Sequence, residues 1–276
     1  MATQDEEAEL EASKAPLLDH LIELRTRLVN SCIAFLIAFL VCFYYSRPIY
    51  AFLVQPLADQ LHGPGRQMIF TQVYEQFFTY AKVGMFGGLC LAFPFMAWQL
   101  WMFIAPGLYR NERKAFLPFI IATPVMFIIG AGFVYYLLLP NAIRFFLSYE
   151  THPDPGSTTI AIEMVPRVSE YLSFITTLIF AFGLCFELPV LLALLGRVGI
   201  VTSKGLRSVW RYAVVGVFIL AAVLTPPDVF SQLSLAIPLV GLYEVSIWIV
   251  KAIEKNRAKA DAEAEAAQRG GGVQPT

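Results

Sequence analysis

Three carboxylates stand out in this sequence. Glu187 lies in FGLCFELPV (182–190), inside a run from Leu172 to Leu195 whose only other ionisable side chain is Cys185. A charge at the middle of a bilayer costs about 2.5 kcal/mol or more, so such a residue ordinarily faces a cavity, a partner or a counter-charge. Glu112 sits among Arg110, Arg113 and Lys114 in QLWMFIAPGLYRNERKAF (99–116). It either balances an ordinary basic loop or is held in place for a cationic guest. Glu23 lies in LLDHLIELRTRL (17–28), four residues before Arg27. At that spacing on a helix the two can simply pair. For Glu187 a structural role, hydrogen-bonded to Ser or Thr of a neighbouring helix, stands beside a role in a polar groove for something entering the bilayer.

Other chemistry has little to build on. Cys32, Cys42, Cys90 and Cys185 all fall in apolar runs without CxxC or other metal-ligand spacing, and read as small packing residues. His20, His62 and His152 lie in tails or loops with no acid at metal-binding spacing. There is no phosphate-binding glycine loop, no GxSxG and no HExxH. The sequence therefore predicts no enzyme, no metal and no cofactor, and any energy for work comes from outside the chain. A net charge of −1 leaves no basic surface for nucleic acid.

The elements that carry these acids are greasy. Hydrophobic residues make up 57% of the 276 and charged residues 15%, against about 25% charged in soluble domains. Crossing the hydrocarbon core takes about 20 apolar residues as helix. Six runs qualify: about 28–45, 77–101 with Lys82 inside it, 115–139 ending before Pro140-Asn141, 168–195 containing Glu187, 209–224 and 230–250. The last two look short and must thin the lipid or be shielded. The runs lack the period-two alternation of barrel strands, so the fold class is an all-α polytopic membrane protein with six transmembrane helices. Fifteen of the 20 lysines and arginines fall on one set of connections and four on the other, which predicts both termini in the cytoplasm. Trp98, Trp101 and Phe103 are expected at the interface beside the first inside loop, where Pro106-Gly107 imposes a bend. Leu17, Leu21, Leu24 and Leu28 form one stripe, as in an amphipathic helix at the inner surface. Residues 1–16 read as an acidic tail without the features of a cleaved signal, 17–250 as the membrane domain and 251–276 as a disordered charged tail.

Four strings carry a resemblance: HLIELRTRL before the first span, FIAPGLYRNER in the first inside loop, FGLCFELPV in the fourth span and LTPPDVFSQ at the last turn. In this order and these positions, from about residue 17 to 250, the chain resembles the TatC family, the core receptor of the twin-arginine protein translocase. The resemblance implies a cup-shaped six-helix protein of the bacterial cytoplasmic (inner) membrane that works with TatA, TatB and other TatC copies. It implies recognition of folded cargo through a signal peptide with two adjacent arginines, and transport driven by the proton-motive force. By motif position it assigns Glu23, Arg25, Phe103 and Glu112 to signal-peptide binding. It assigns Glu187 to a polar contact in the membrane-buried concave face, and Pro56 (in QPL) and Asp228 (in TPPD) to further sensitive positions. The residues suit this: a guanidinium is a planar fork that a carboxylate receives bidentately and that lysine cannot imitate. Two adjacent arginines call for two acids, or one acid and carbonyls. The rival reading is a small proton-coupled multi-pass transporter using Glu187, which predicts uptake by this chain alone. A scaffold whose acids are merely paired is a third.

Overall fold

The computed structural model of the protein describes residues 4–61, 68–104, 113–151, 164–224 and 229–270. Among these the regular elements are all helices. In chain order they are α1 (Gln4–Tyr44), α2 (Ser46–Ala58), α3 (Glu75–Ile104), α4 (Arg113–Phe133), a π-helical turn (Val134–Leu138), α5 (Leu139–Leu147), α6 (Val168–Cys185), α7 (Leu188–Val198), α8 (Ser203–Ser208), α9 (Trp210–Leu224) and α10 (Val229–Gly270). Among the described residues, five helical stretches are long and apolar enough to cross a membrane: His20–Tyr44, Glu75–Phe103, Pro118–Leu147, Val168–Val198 and Gln232–Lys259. The sixth expected span is α9, of 15 residues. At 1.5 Å per residue it covers about 22 Å of a hydrocarbon core about 30 Å thick.

Several boundaries differ from the sequence reading, each for a local reason. The amphipathic stretch 17–28 is not a separate surface helix, because α1 runs unbroken through it. No glycine or proline occurs from Leu17 to Tyr44 to end the helix. Pro140-Asn141 does not end the third span. The Leu139 N–H reaches back to the Val134 carbonyl, and this wider π turn absorbs the proline so that α5 follows directly. The fourth span is two helices, with a break at Phe186-Glu187. Pro189 has no N–H for the Cys185 carbonyl, and it sits in the first turn of α7 where that lack is tolerated. Helix α10 is longer than the last apolar run, because it continues to Gly270 through the charged stretch that follows. That stretch, KAIEKNRAKADAEAEAAQR, is built of strong helix formers with no glycine or proline.

The chain divides into two compact units, one of residues 1–54, 70–124 and 167–172, the other of 55–69, 125–166 and 173–276. In the first, α1 packs along α3. The close approach comes from Gly84 and Gly88 in GMFGG (84–88). A Cβ on Gly88 would lie 2.7 Å from the Phe39 Cα, and one on Gly84 would lie 2.9 Å from the Phe43 Cα. This small-xxx-small spacing lets helix backbones touch inside a bilayer, where dispersion contacts replace the hydrophobic effect. The start of α3 is fixed by Glu75, only 7% exposed. Its carboxylate accepts from the Thr71 N–H (2.8 Å), the Gln72 N–H (3.3 Å), the Thr71 hydroxyl (3.1 Å) and the Ser169 hydroxyl (2.6 Å). Arg167 donates to Thr71 Oγ1 and to Glu170, so one polar network joins the first turns of α3 and α6.

In the second unit, Gly130 and Gly183 sit against Phe182, Phe186 and Phe127. The Phe133 ring lies 5.8 Å from Phe182 and 5.9 Å from Phe186. Helix α10 packs on α7, α8 and α9 through Leu206, Tyr243, Ile247 and Val250, with the Tyr243 hydroxyl donating to the Leu206 carbonyl at 2.8 Å. Beyond the apolar run, Glu254 accepts from the Ser203 N–H at 2.9 Å and from the Ser203 hydroxyl, which ties the extension of α10 to the start of α8.

Replacing Gly88 by Leu forces α1 from α3 and costs about 1–3 kcal/mol or more. The expected result is a clear drop in melting temperature in detergent. Gly132→Ala, where an added Cβ meets nothing within 4 Å, should leave the melting temperature unchanged or slightly raised. Equal effects would show that the close contact is not what holds the pair.

Candidate recognition site

The α1–α3 contact brings the first span's entry segment against the end of the second. The His20 and Phe103 rings stack with centroids 4.3 Å apart and planes 17° from parallel. One turn and more further along α1, Arg27 Nη1 donates to Gln99 Oε1 at 3.0 Å. Gln99 and Phe103 are four residues apart on α3, and His20, Glu23 and Arg27 share a face of α1 by the helical repeat. Glu23 therefore lies on α1 between two cross-helix contacts. Its Oε1 accepts from Arg27 Nη2 at 3.2 Å, and the Arg27 and Glu23 side chains keep 28% and 32% of their surface exposed.

The paired reading of Glu23 and Arg27 thus holds at the level of geometry, and it leaves the recognition reading open. A partly exposed i,i+4 pair is worth no more than about 1 kcal/mol. A second guanidinium can take over the carboxylate at little cost while Arg27 keeps Gln99. Phe103, half-buried beside it, presents a ring for apolar or guanidinium contact.

The other predicted residues are distributed as follows. Arg25 is exposed, and two residues beyond Glu23 it points about 200° around the helix, away from that face. Glu112 and Asp228 lie outside the described residues. Pro56 is buried in the last turns of α2. Glu187 occupies the break between α6 and α7, where its backbone carbonyl accepts the Leu191 N–H at 2.8 Å. Both of its carboxylate oxygens are enclosed by the chain. Its neighbour Phe186 belongs to the aromatic cluster of the second unit.

Trp101 is 8% exposed, and its indole N–H donates to Thr123 Oγ1 at 3.0 Å. That bond joins α3 to α4, the helices on either side of the segment holding Glu112. Trp98, on the same helix, is 52% exposed. Glu244 of α10 pairs with Arg207 of α8 at 2.7 Å. Sequence reasoning missed Gln99 and His20 as parts of the site. Gln99 is 72 positions from Arg27 and no local pattern links the two. His20 did stand in the motif segment, but its partner Phe103 becomes visible only once α1 and α3 are placed together.

The comparisons with known proteins agree over most of the chain. The model of the family Sec-independent protein translocase protein (TatC) matches residues 19–238. A Sec-independent protein translocase protein TatC from Magnetococcus marinus is 46% identical over 253 residues, covering 92% of this chain and 90% of the relative. One from Escherichia coli is 40% identical over 233 residues, covering 84% and 87%. A crystal structure of the twin-arginine translocase receptor TatC superimposes with a TM-score of 0.73 at 36% identity, covering 85% of this chain and 99% of that one.

Exchanging the charges, Glu23→Arg with Arg27→Glu, keeps an i,i+4 pair and leaves Gln99 able to turn its amide toward the new acid. The melting temperature of the exchanged protein is expected to match the original within the effect of about 1 kcal/mol. A large loss of stability would mean that the pair itself holds α1 to α3.

Proposed function

The chain belongs to the TatC family of Sec-independent protein translocase proteins, and we propose that it is the twin-arginine signal-peptide receptor and core of that translocase. The observation that carries this reading is the Glu23 carboxylate, half-exposed and paired to an exchangeable arginine, on the helix face that Phe103 also meets. One guanidinium of the paired tag docks on Glu23 as a bidentate fork and displaces Arg27 from it. The second goes to Glu112. Phe103 packs against the tag, and Arg25, in the same motif, steers acidic or carbonyl groups at its flank.

The receptor face lies on the cytoplasmic side of the bacterial inner membrane, where fifteen lysines and arginines place both termini. Six helices within 17–250 cross the bilayer, α9 being the short one. The apolar part of the signal peptide enters the bilayer along the chain. Glu187 is the polar contact for TatA or TatB in the membrane, and Pro56 and Asp228 are further functionally sensitive positions. TatA, TatB, further TatC copies and the proton-motive force complete the machine that exports folded cargo. The chain acts by binding and assembly, and no reacting residue is assigned.

Glu23→Ala and Glu112→Ala should each weaken binding of a twin-arginine peptide about tenfold or more, the cost of one charge-assisted bond, while membrane insertion persists. The exchanged Glu23→Arg/Arg27→Glu protein should lose the same amount despite its preserved stability. Peptide titration by fluorescence anisotropy measures this, and unchanged affinity in both alanine variants would remove the recognition role. Glu187→Leu is expected to bind the peptide normally and to fail in transport by inverted membrane vesicles. Normal transport by that variant would end the proposed partner contact.

A further inference from the structure

Beside the turn from α8 to α9 a cleft of about 540 Å³ opens, lined by Arg207, Ser208, Trp210, Arg211 and Tyr212. No acid is among these residues. Two guanidinium groups, an indole N–H and two hydroxyls make it a wall of donors. Some of that capacity is committed: Arg207 Nη1 donates to Glu244 at 2.7 Å and the Ser208 hydroxyl donates to the Gly205 carbonyl at 2.7 Å. Among the described residues, the other N–H groups of Arg207 and the guanidinium of Arg211 have no hydrogen-bond acceptor and can serve a ligand. Trp210 Nε1 is buried with no acceptor among the described residues, and the Trp210 ring packs on the cluster of Leu206, Tyr243, Ile247 and Val250, which fixes one wall of the cleft.

The cleft's level in the membrane follows from α9. Past Arg211 that helix has no charged side chain, so the cleft lies where the chain leaves water for hydrocarbon, and Trp210 and Tyr212 are residue types that settle at that depth. From the cleft, Tyr212, Val215, Ile219 and Val223 run along α9 at helical spacing, 79%, 57%, 62% and 77% exposed. A donor-lined cleft continued by an apolar stripe has the two-part chemistry of an anionic phospholipid. We propose that this is a binding site for such a lipid, with the headgroup phosphate between Arg207 and Arg211 and an acyl chain along α9. A soluble phosphate would use the cleft and leave the stripe without a role. The site is independent of the signal-peptide reading, since its residues belong to the second unit and α1 does not.

Native mass spectrometry of the full chain, titrated with phosphatidylglycerol or phosphatidylcholine, tests this. Arg211→Gln is the informative variant because it leaves the Arg207–Glu244 bridge in place. At about 1 kcal/mol per arginine, phosphatidylglycerol should bind about fivefold more weakly to Arg211→Gln and about thirtyfold more weakly to the Arg207→Gln/Arg211→Gln protein. Lys204→Gln, outside the cleft, should match the original, and phosphatidylcholine should bind all of them equally weakly. Inorganic phosphate should displace the lipid only in large molar excess. Equal lipid affinity for the original and Arg211→Gln, or equal affinity for the two lipids, would overturn the site. Displacement by equimolar inorganic phosphate would overturn the lipid in favour of a soluble anion.

Discussion

Close approach of α1 and α3 governs everything proposed for the receptor face. Gly84 and Gly88 let the α3 backbone lie against Phe39 and Phe43 of α1. In lipid there is little hydrophobic drive to press two helices together, so the dispersion gained by direct backbone contact has to do it. Once the helices are fixed at that distance and run antiparallel, the contacts His20–Phe103 and Arg27–Gln99 follow as consecutive rungs. Glu23 is then presented between them rather than left on a free helix end. The network of Glu75 with Thr71, Gln72 and Ser169 holds the opposite end of α3, so the helix is pinned at both ends.

The second unit is built on different devices. Prolines punctuate its helices without ending its membrane passages: Pro140 is absorbed by a π turn and Pro189 by the break at Phe186-Glu187. That break sets an acid at the junction of two helices instead of midway along one, close to the positive end of α7's dipole. A carboxylate so placed is easier to keep in a membrane than one on a continuous apolar helix. Polar links from α8 to α10, through Arg207–Glu244 and Ser203–Glu254, then hold the entry of the short α9.

Much of this could be read from the residues. The apolar runs located five apolar helical stretches among the described residues, with ends that differ by up to nine positions. The motif strings drew attention to Glu23 and Phe103, which the α1–α3 contact brings near one another through His20. What stayed hidden depends on distance along the chain or on backbone compensation. GMFGG carries helix-packing spacing, but its partner face on α1 has no matching signal. Gln99 looks like any interfacial amide until Arg27 is brought to it. Pro140 reads as a terminator because a π turn leaves no mark in composition. The charged Ala- and Glu-rich stretch after residue 250 reads from composition as a solvated tail, while α10 continues through it to Gly270. Nothing near Trp101 in sequence marks the Thr123 hydroxyl, one helix away, that accepts its indole N–H.

In the proposed receptor, α1 and α3 together present the surface for a paired-guanidinium tag. Light-induced crosslinking from a photoreactive amino acid at position 20, which faces Phe103, probes that surface directly. A twin-arginine signal peptide is predicted to be captured there, and a peptide with both arginines changed to lysine is predicted to escape. Equal capture of the two peptides, or capture of neither while the peptide still binds, would contradict it.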